Sequence, residues 1–380
     1  MVILFWISVF MIFYVYIGYP IVVVLLSFII GKSVKKENSE PFATIIIAAF
    51  NESEHIHKTI QNKLDLDYPK DKLEIIVVSD ASDDGTDELV NEFKEANVRL
   101  IRQEPRAGKT SALNLAVPHV KGEIIVFSDA NSIYDPKAIK KLVGNFSDPE
   151  VGYVTGKMIY VDSDGSMVGD GCSAYMKYEN LLRKYETLLG SVVGVDGGID
   201  AIRKQLYAPM KDDQLPDFVL PLKIVEKGYR VVYEPEALLK EDTLKEAEDE
   251  YKMRVRVSLR AMWAILDMKH LLWFQQNPFF SWQLISHKLL RYFCFVFLIV
   301  AFFTNLFLLD SGYGYILAFV IQCVAYPTAF LSPKLIETLH FPSKVTAIIR
   351  YFFLINLACA HASTKVLRGQ KQVLWTPRKG

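Results

Sequence analysis

The chain has 380 residues, 51% of them hydrophobic, and its 43 Lys and Arg balance 43 Asp and Glu. Zero formal net charge argues against a nucleic-acid partner, whose phosphates select basic surfaces, and the length allows one large domain plus further parts. Three of the four cysteines (Cys172, Cys294, Cys323, Cys359) lie in apolar runs, which argues against a disulfide frame or a metal cluster.

In chain order, residues 3–30 come first, an uncharged run. About 20 apolar residues cross about 30 Å of hydrocarbon, so this run is expected to be a membrane anchor rather than a cleaved signal. Lys32, Lys35 and Lys36 follow it and put that end in the cytoplasm by the positive-inside rule. The polar stretch 31–40 reads as a linker into a cytoplasmic domain over residues 40–262. His55 and His57 read as a solvated helix start rather than a metal pair.

Within that domain, strands are predicted at 43–50, 73–80, 98–103 and 123–130. Helix-length amphipathic segments begin at 53, 86 and 109. Nearly continuous Val/Ile runs alternating with helices predict a parallel sheet covered on both faces, with ligands at the carboxyl ends of the strands. Asn51, Glu52, Asp80, Asp129 and Asn131 fall at those ends, and the second and fourth strands both finish in Ser-Asp-Ala. GxGxxG is missing after the first strand, and RAGKTS at 106–111 lacks the first glycine of a phosphate-binding P-loop. Acids at strand tips suit a divalent cation bridging carboxylate and phosphate oxygens. Asp83, Asp84 and Asp87 read instead as turn and cap formers. Asp217 precedes an apolar-periodic helix that Gly228 would end, and so is expected at the N-cap.

Beyond the domain, residues 263–288 mix Trp273, Phe279, Phe280 and Trp282 with Lys288 and predict a segment lying in the membrane interface, with Pro278 breaking it. Residues 289–380 hold two further apolar runs, 292–309 and 313–331, and a weaker one at 345–362 interrupted by Arg350. The basic, acid-free tail from Lys365 is expected in the cytoplasm, which makes 345–362 interfacial or re-entrant.

AFNE (49–52), SDASDDGT (79–86), RAGK with ALN (106–114) and SDAN (128–131), in this order, resemble the family 2 glycosyltransferases of GT-A fold. GVDGGIDAIRK (194–204), the block 212–237 and the basic segment 251–261 continue the likeness, and the flanking membrane runs suit that family's membrane-bound polysaccharide synthases. The resemblance implies an α/β GT-A domain with a mostly parallel sheet, flanked by N- and C-terminal transmembrane helices. It implies a nucleotide-sugar donor held by Phe50, Asn51, Glu52, Asp80, Arg106, Lys109 and Asp129, and Asp217 as the catalytic base. Arg254 and Arg256 would serve the leaving group or acceptor, and Asp129 with Asn131 would hold Mg²⁺ or Mn²⁺. Asn131 stands where the family has a second Asp, and the Gln-x-x-Arg-Trp signature of processive synthases is not intact.

The function expected on these grounds is inverting transfer of a UDP-hexose or UDP-N-acetylhexosamine sugar to a glycan acceptor, in exopolysaccharide or cell-wall synthesis. Membrane lipid, and export or synthase subunits, are the further partners. A single-sugar transferase acting on a lipid-linked acceptor, and an inactive scaffold of an export complex, are the alternatives.

Overall fold

The computed structural model describes residues 1–161, 170–242, 247–275, 277–328 and 343–374. The chain divides into two compact units. One comprises residues 26–167, 180–244 and 372–380; the other comprises residues 1–25, 168–179 and 245–371.

The first unit is built on an eight-stranded sheet in the order β3-β2-β1-β4-β7-β6-β8-β5. β1 (Ala43–Ala49), β2 (Leu73–Asp80), β3 (Val98–Gln103) and β4 (Ile124–Asp129) form its parallel half. Every residue of β1 and β2 is buried, as expected for strands covered on both faces. The helices α2 (Ile56–Leu64), α3 (Thr86–Asn91) and α4 (Lys109–Ala116) return the chain between these strands. All four strands stand where the sequence places them, to within a residue.

The other half departs from a purely parallel reading. β7 (Ile199–Arg203) runs antiparallel to both β4 and β6 (Val151–Val161), and β8 (Arg230–Asp242) runs parallel to β6. The two-residue β5 (Ile133–Tyr134) caps the edge, antiparallel to β8. The sheet is therefore mixed. Its reversal at β4–β7 brings the segment before β7 to the carboxyl end of β4.

Helix α7 (Pro216–Glu226), which follows α5 (Ala138–Gly144) and α6 (Asp170–Leu189) in the chain, corrects one expectation. Leu215 occupies the N-cap, Pro216 takes the first helical position, and Asp217 lies inside the first turn. A proline fixed near φ −65° is pre-organised for the first turn and displaces the cap by two residues. Gly228 does follow the helix, in the left-handed region at φ +83°.

Val2–Ile30 (α1), whose residues 2–25 belong to the second unit, and Thr346–Leu367 of that unit are long and apolar enough to cross a membrane. Thr346–Leu367 lies within the unbroken α12 (Ser343–Leu367), with Arg350 inside it. Pro278–Tyr292 (α9) and Cys294–Leu306 (α10) meet at a 58° bend, and would make a third crossing if they count as one span. Pro278 begins α9 rather than breaking a helix, with Asn277 accepting from Phe280 N at 3.0 Å as its cap. α11 (Tyr313–Thr328) accounts for most of 313–331; the last three residues of that run, like the end of the basic tail, lie outside the described residues. Of the aromatic residues expected at an interface, Trp273 is exposed and Phe280 is buried.

Candidate active site

The carboxyl ends of β1 to β4 and the turns before β7 and α7 supply the polar groups singled out from the sequence. Beyond β1, the Arg106 guanidinium lies 3.3 Å from the Phe50 ring centroid, a cation–π contact that fixes both side chains. Asn51 has φ +52° and exchanges two hydrogen bonds with Asp83: Asn51 Nδ2 donates to Asp83 Oδ1 at 2.8 Å, and Asp83 N donates to Asn51 Oδ1 at 3.0 Å. Glu52 N donates to Thr86 Oγ1, and Ser53 N donates to Asp84 Oδ2, both at 2.9 Å. Asp83 and Asp84 are thus turn formers, as expected, and Asp87 pairs with Arg102.

Asp80 is fully buried. Its carboxylate accepts from Gln103 Nε2 at 2.5 Å, Ala107 N at 2.8 Å and Gly108 N at 3.0 Å, and Arg106 Nε lies 3.6 Å away. Both oxygens are engaged by the loop after β3. The sequence sets Asp80 against the nucleotide; in the structure it also folds the loop that carries Arg106 and Lys109.

Lys109, the first residue of α4, joins the two acids that matter most. Its Nζ donates to Asp129 Oδ1 at 2.6 Å and lies 3.7 Å from Asp217 Oδ1. Burial alone would lower the Lys109 pKa. Asp129 and Asp217 outweigh it and hold the ammonium above its ordinary range. α4 also positions the chain leading to α7: Thr110 Oγ1 donates to Gln214 O at 2.8 Å, and Asn114 Nδ2 to Met210 O at 2.7 Å. Asp217 rests against Gly197, which has φ +88°. A Cβ there would meet Asp217 Oδ2 at 2.6 Å. Only glycine combines that backbone conformation with that approach.

Several groups were not singled out from the sequence. The Asp196 carboxylate forms a buried ion pair with Arg183 Nη2 at 2.7 Å and accepts from Met158 N at 3.1 Å, anchoring the segment before β7. Asp200, within β7, is 1% exposed. Burial pushes its carboxyl up to about 7, with a push from Asp217 and Asp196 opposed by the Thr155 hydroxyl. An Asp in a five-residue strand reads as a loop; the apolar residues Ile199, Ala201 and Ile202 around it were the available signal. Lys63 is fully buried on α2, donates to Ser132 O at 2.6 Å, and sits 3.4 Å from the Tyr134 ring centroid. Burial pulls its pKa well down.

Asn131 is half-buried, two residues beyond Asp129. Together they offer only oxygen donors, the set that Mg²⁺ and Mn²⁺ prefer, and Asp129 is about one-third exposed. Among the described residues no three His, Cys, Asp or Glu side chains converge as a metal cluster. The oxygen donors of the pair fit such a cation. Arg254 and Arg256 lie on α8 (Ala247–Asp267) in the second unit. There, Arg254 Nε pairs with Glu250 at 2.8 Å and Nη2 donates to the Tyr351 hydroxyl at 2.5 Å.

Residues 44–196 match the family model described as Glycosyl transferase family 2. The chain is 32% identical over 203 residues to a poly-beta-1,6-N-acetyl-D-glucosamine synthase of Staphylococcus aureus, covering 51% of this chain and 48% of that one. It is 26% identical over 260 residues to the synthase of the same name from Staphylococcus epidermidis, covering 64% and 62%. The chain thus spans about half the length of the first of these relatives. Among solved structures, a mannosyltransferase from Pyrobaculum calidifontis in complex with GDP-Man and Mn²⁺ superposes with a TM-score of 0.74 at 22% identity, over 97% of this chain and 99% of that one. That match establishes the fold: a GT-A-type α/β sheet flanked by apolar helices.

Proposed function

We propose, from the premise that this chain carries a family 2 glycosyltransferase domain, that it is a membrane-bound inverting transferase. It moves a sugar from a UDP-hexose or UDP-N-acetylhexosamine to a glycan acceptor in exopolysaccharide or cell-wall polysaccharide synthesis. It sits in the cell membrane as a multi-pass protein with residues 40–262 in the cytoplasm. The observation that carries this reading is Lys109, held between Asp129 and Asp217 at 2.6 and 3.7 Å. One cation thereby ties the donor side of the site to the acceptor side.

The steps follow from the residues. Phe50, Asn51 and Glu52 flank the nucleotide, with Arg106 over Phe50, on a loop that Asp80 positions. Asp217 takes the proton of the acceptor hydroxyl as that oxygen attacks the anomeric carbon from the face opposite the leaving group. Lys109 lies beside Asp217 and beside the diphosphate, where Arg106 adds a second positive charge as the bond breaks. Asp129 and Asn131 would hold a divalent cation, which supplies charge neutralisation on the diphosphate. Arg254 and Arg256 are assigned to the leaving group or acceptor path.

The test is release of UDP by the purified full chain supplied with UDP-hexoses and UDP-N-acetylhexosamines together with a glycan acceptor. UDP release with one of these donors supports the reading. Release with none of them, from folded protein with Mg²⁺ or Mn²⁺ present, overturns it.

A further inference from the structure

Arg291 stands in the second unit, one residue before the bend between α9 and α10. It is 5% exposed. Its Nη1 donates to Glu179 Oε1, a carboxylate that is itself 2% exposed and has His287 Nε2 at 3.4 Å and Lys288 Nζ at 3.9 Å. The guanidinium lies 5.2 Å from the ring centroid of Tyr178, 5.7 Å from Tyr16 and 5.9 Å from Tyr175. The other edge, Nε and Nη2, is buried and has no hydrogen-bond partner among the described residues.

Aromatic faces attract the cation but give that edge no good acceptor, and a buried N–H left without one is costly. Nε–H and Nη2–H form the side-on fork of a guanidinium, which matches two oxygens of a tetrahedral phosphate. The helices around this edge are locally irregular. α1 carries a π-helical turn at Tyr14–Gly18 and α9 another at Ile285–Leu289; the Tyr14 hydroxyl joins them through Ser286 Oγ at 2.8 Å. Isolated π-turns occur frequently at functional sites.

The depth of the site follows from the sequence on either side of the bend. α9 carries Gln283, His287, Lys288 and Arg291, whereas Cys294–Leu306 carries no charge. Arg291 therefore marks the boundary between polar and apolar helix, the level at which lipid headgroups lie. We propose that the Nε/Nη2 edge of Arg291, backed by Glu179 and walled by Tyr16, Tyr175 and Tyr178, binds the phosphate of an anionic membrane lipid. A bound phosphate takes the place of one ring contact and satisfies both N–H groups. This site is independent of the sugar-transfer reaction.

The test uses full-length protein in detergent, probed by native mass spectrometry with phosphatidate, phosphatidylcholine of the same chains, and inorganic phosphate. We expect at least about tenfold greater retention of phosphatidate than of phosphatidylcholine. Arg291→Lys keeps the charge and removes the fork, and should lower that preference at least about fivefold at an unchanged melting temperature. Should that variant fail to fold, Lys288→Gln serves in its place with an expected loss of about threefold. Equal retention of the two lipids by the wild type, or a preference that the folded variant leaves unchanged, overturns the site: the cage is then structural only. Inorganic phosphate binding as tightly as phosphatidate overturns the assignment to a lipid.

Discussion

Asp217 Oδ2 lies 2.6 Å from the position that a Cβ on Gly197 would occupy, so the carboxylate and the glycine define one another's place. Gly197→Ala combines that overlap with φ +88°, a backbone conformation that disfavours any Cβ by about 1–2 kcal/mol. The variant is expected to lose at least about tenfold in kcat while KM for the donor changes less than about threefold, since the displaced group acts on the acceptor. Steady-state UDP release measures both; a loss confined to KM contradicts the assignment.

Lys109 places one positive charge between Asp129 and Asp217. Lys109→Gln keeps most of the length and removes the charge. Turnover at saturating donor should fall on the order of 10²-fold, the scale of losing one preorganised electrostatic group. Turnover within about twofold of wild type would remove Lys109 from the mechanism.

Asp200 predicts a pH dependence of stability. Its pKa is about 7 in the folded chain against an ordinary 3.8. Between those values the folded chain keeps a proton that the unfolded chain has released. The stabilisation is fully present below pH about 4 and is lost as the pH rises through about 7; the shift corresponds to at most about 4 kcal/mol. Asp200→Asn should abolish that slope, so the wild-type melting temperature falls relative to the variant between pH 5 and 7.5. Parallel profiles would show that Asp200 ionises normally.

Asn131 supplies a neutral oxygen where a carboxylate would bring charge to a divalent cation. Activity is expected to need millimolar Mg²⁺ or Mn²⁺, and Asn131→Asp to reach half-maximal activity at a lower concentration. Full activity in EDTA would exclude the cation from the reaction.

Much of this site was legible because the parallel half of the sheet is written in uninterrupted Val/Ile runs, and a strand that ends in Asp places that acid at the functional edge. The antiparallel half was obscure. β6 carries Gly152, Gly156 and Lys157, β7 has five residues and β5 two, so none shows a run long enough to separate strand from loop. Asp217 was found, but its place in the helix was misjudged because Pro216 takes the first turn. The bond from Lys109 to Asp129 spans 20 residues and leaves no local trace. Asp200 and Arg291 owe their character to burial, which depends on elements far away in the chain.

The central claim is that Asp217 removes the acceptor proton, and Asp217→Asn tests it most directly. The N-cap is Leu215 and Asp217 lies inside the first turn, so the substitution removes basicity while keeping the size of the side chain. The comparison is single-turnover UDP release with acceptor present, alongside UDP binding and melting temperature, with Asp212→Asn and Asp213→Asn as controls. The account predicts a folded variant that binds UDP as before and is at least about a hundredfold slower, with both controls near wild type. Transfer by folded Asp217→Asn at close to the wild-type rate would contradict it.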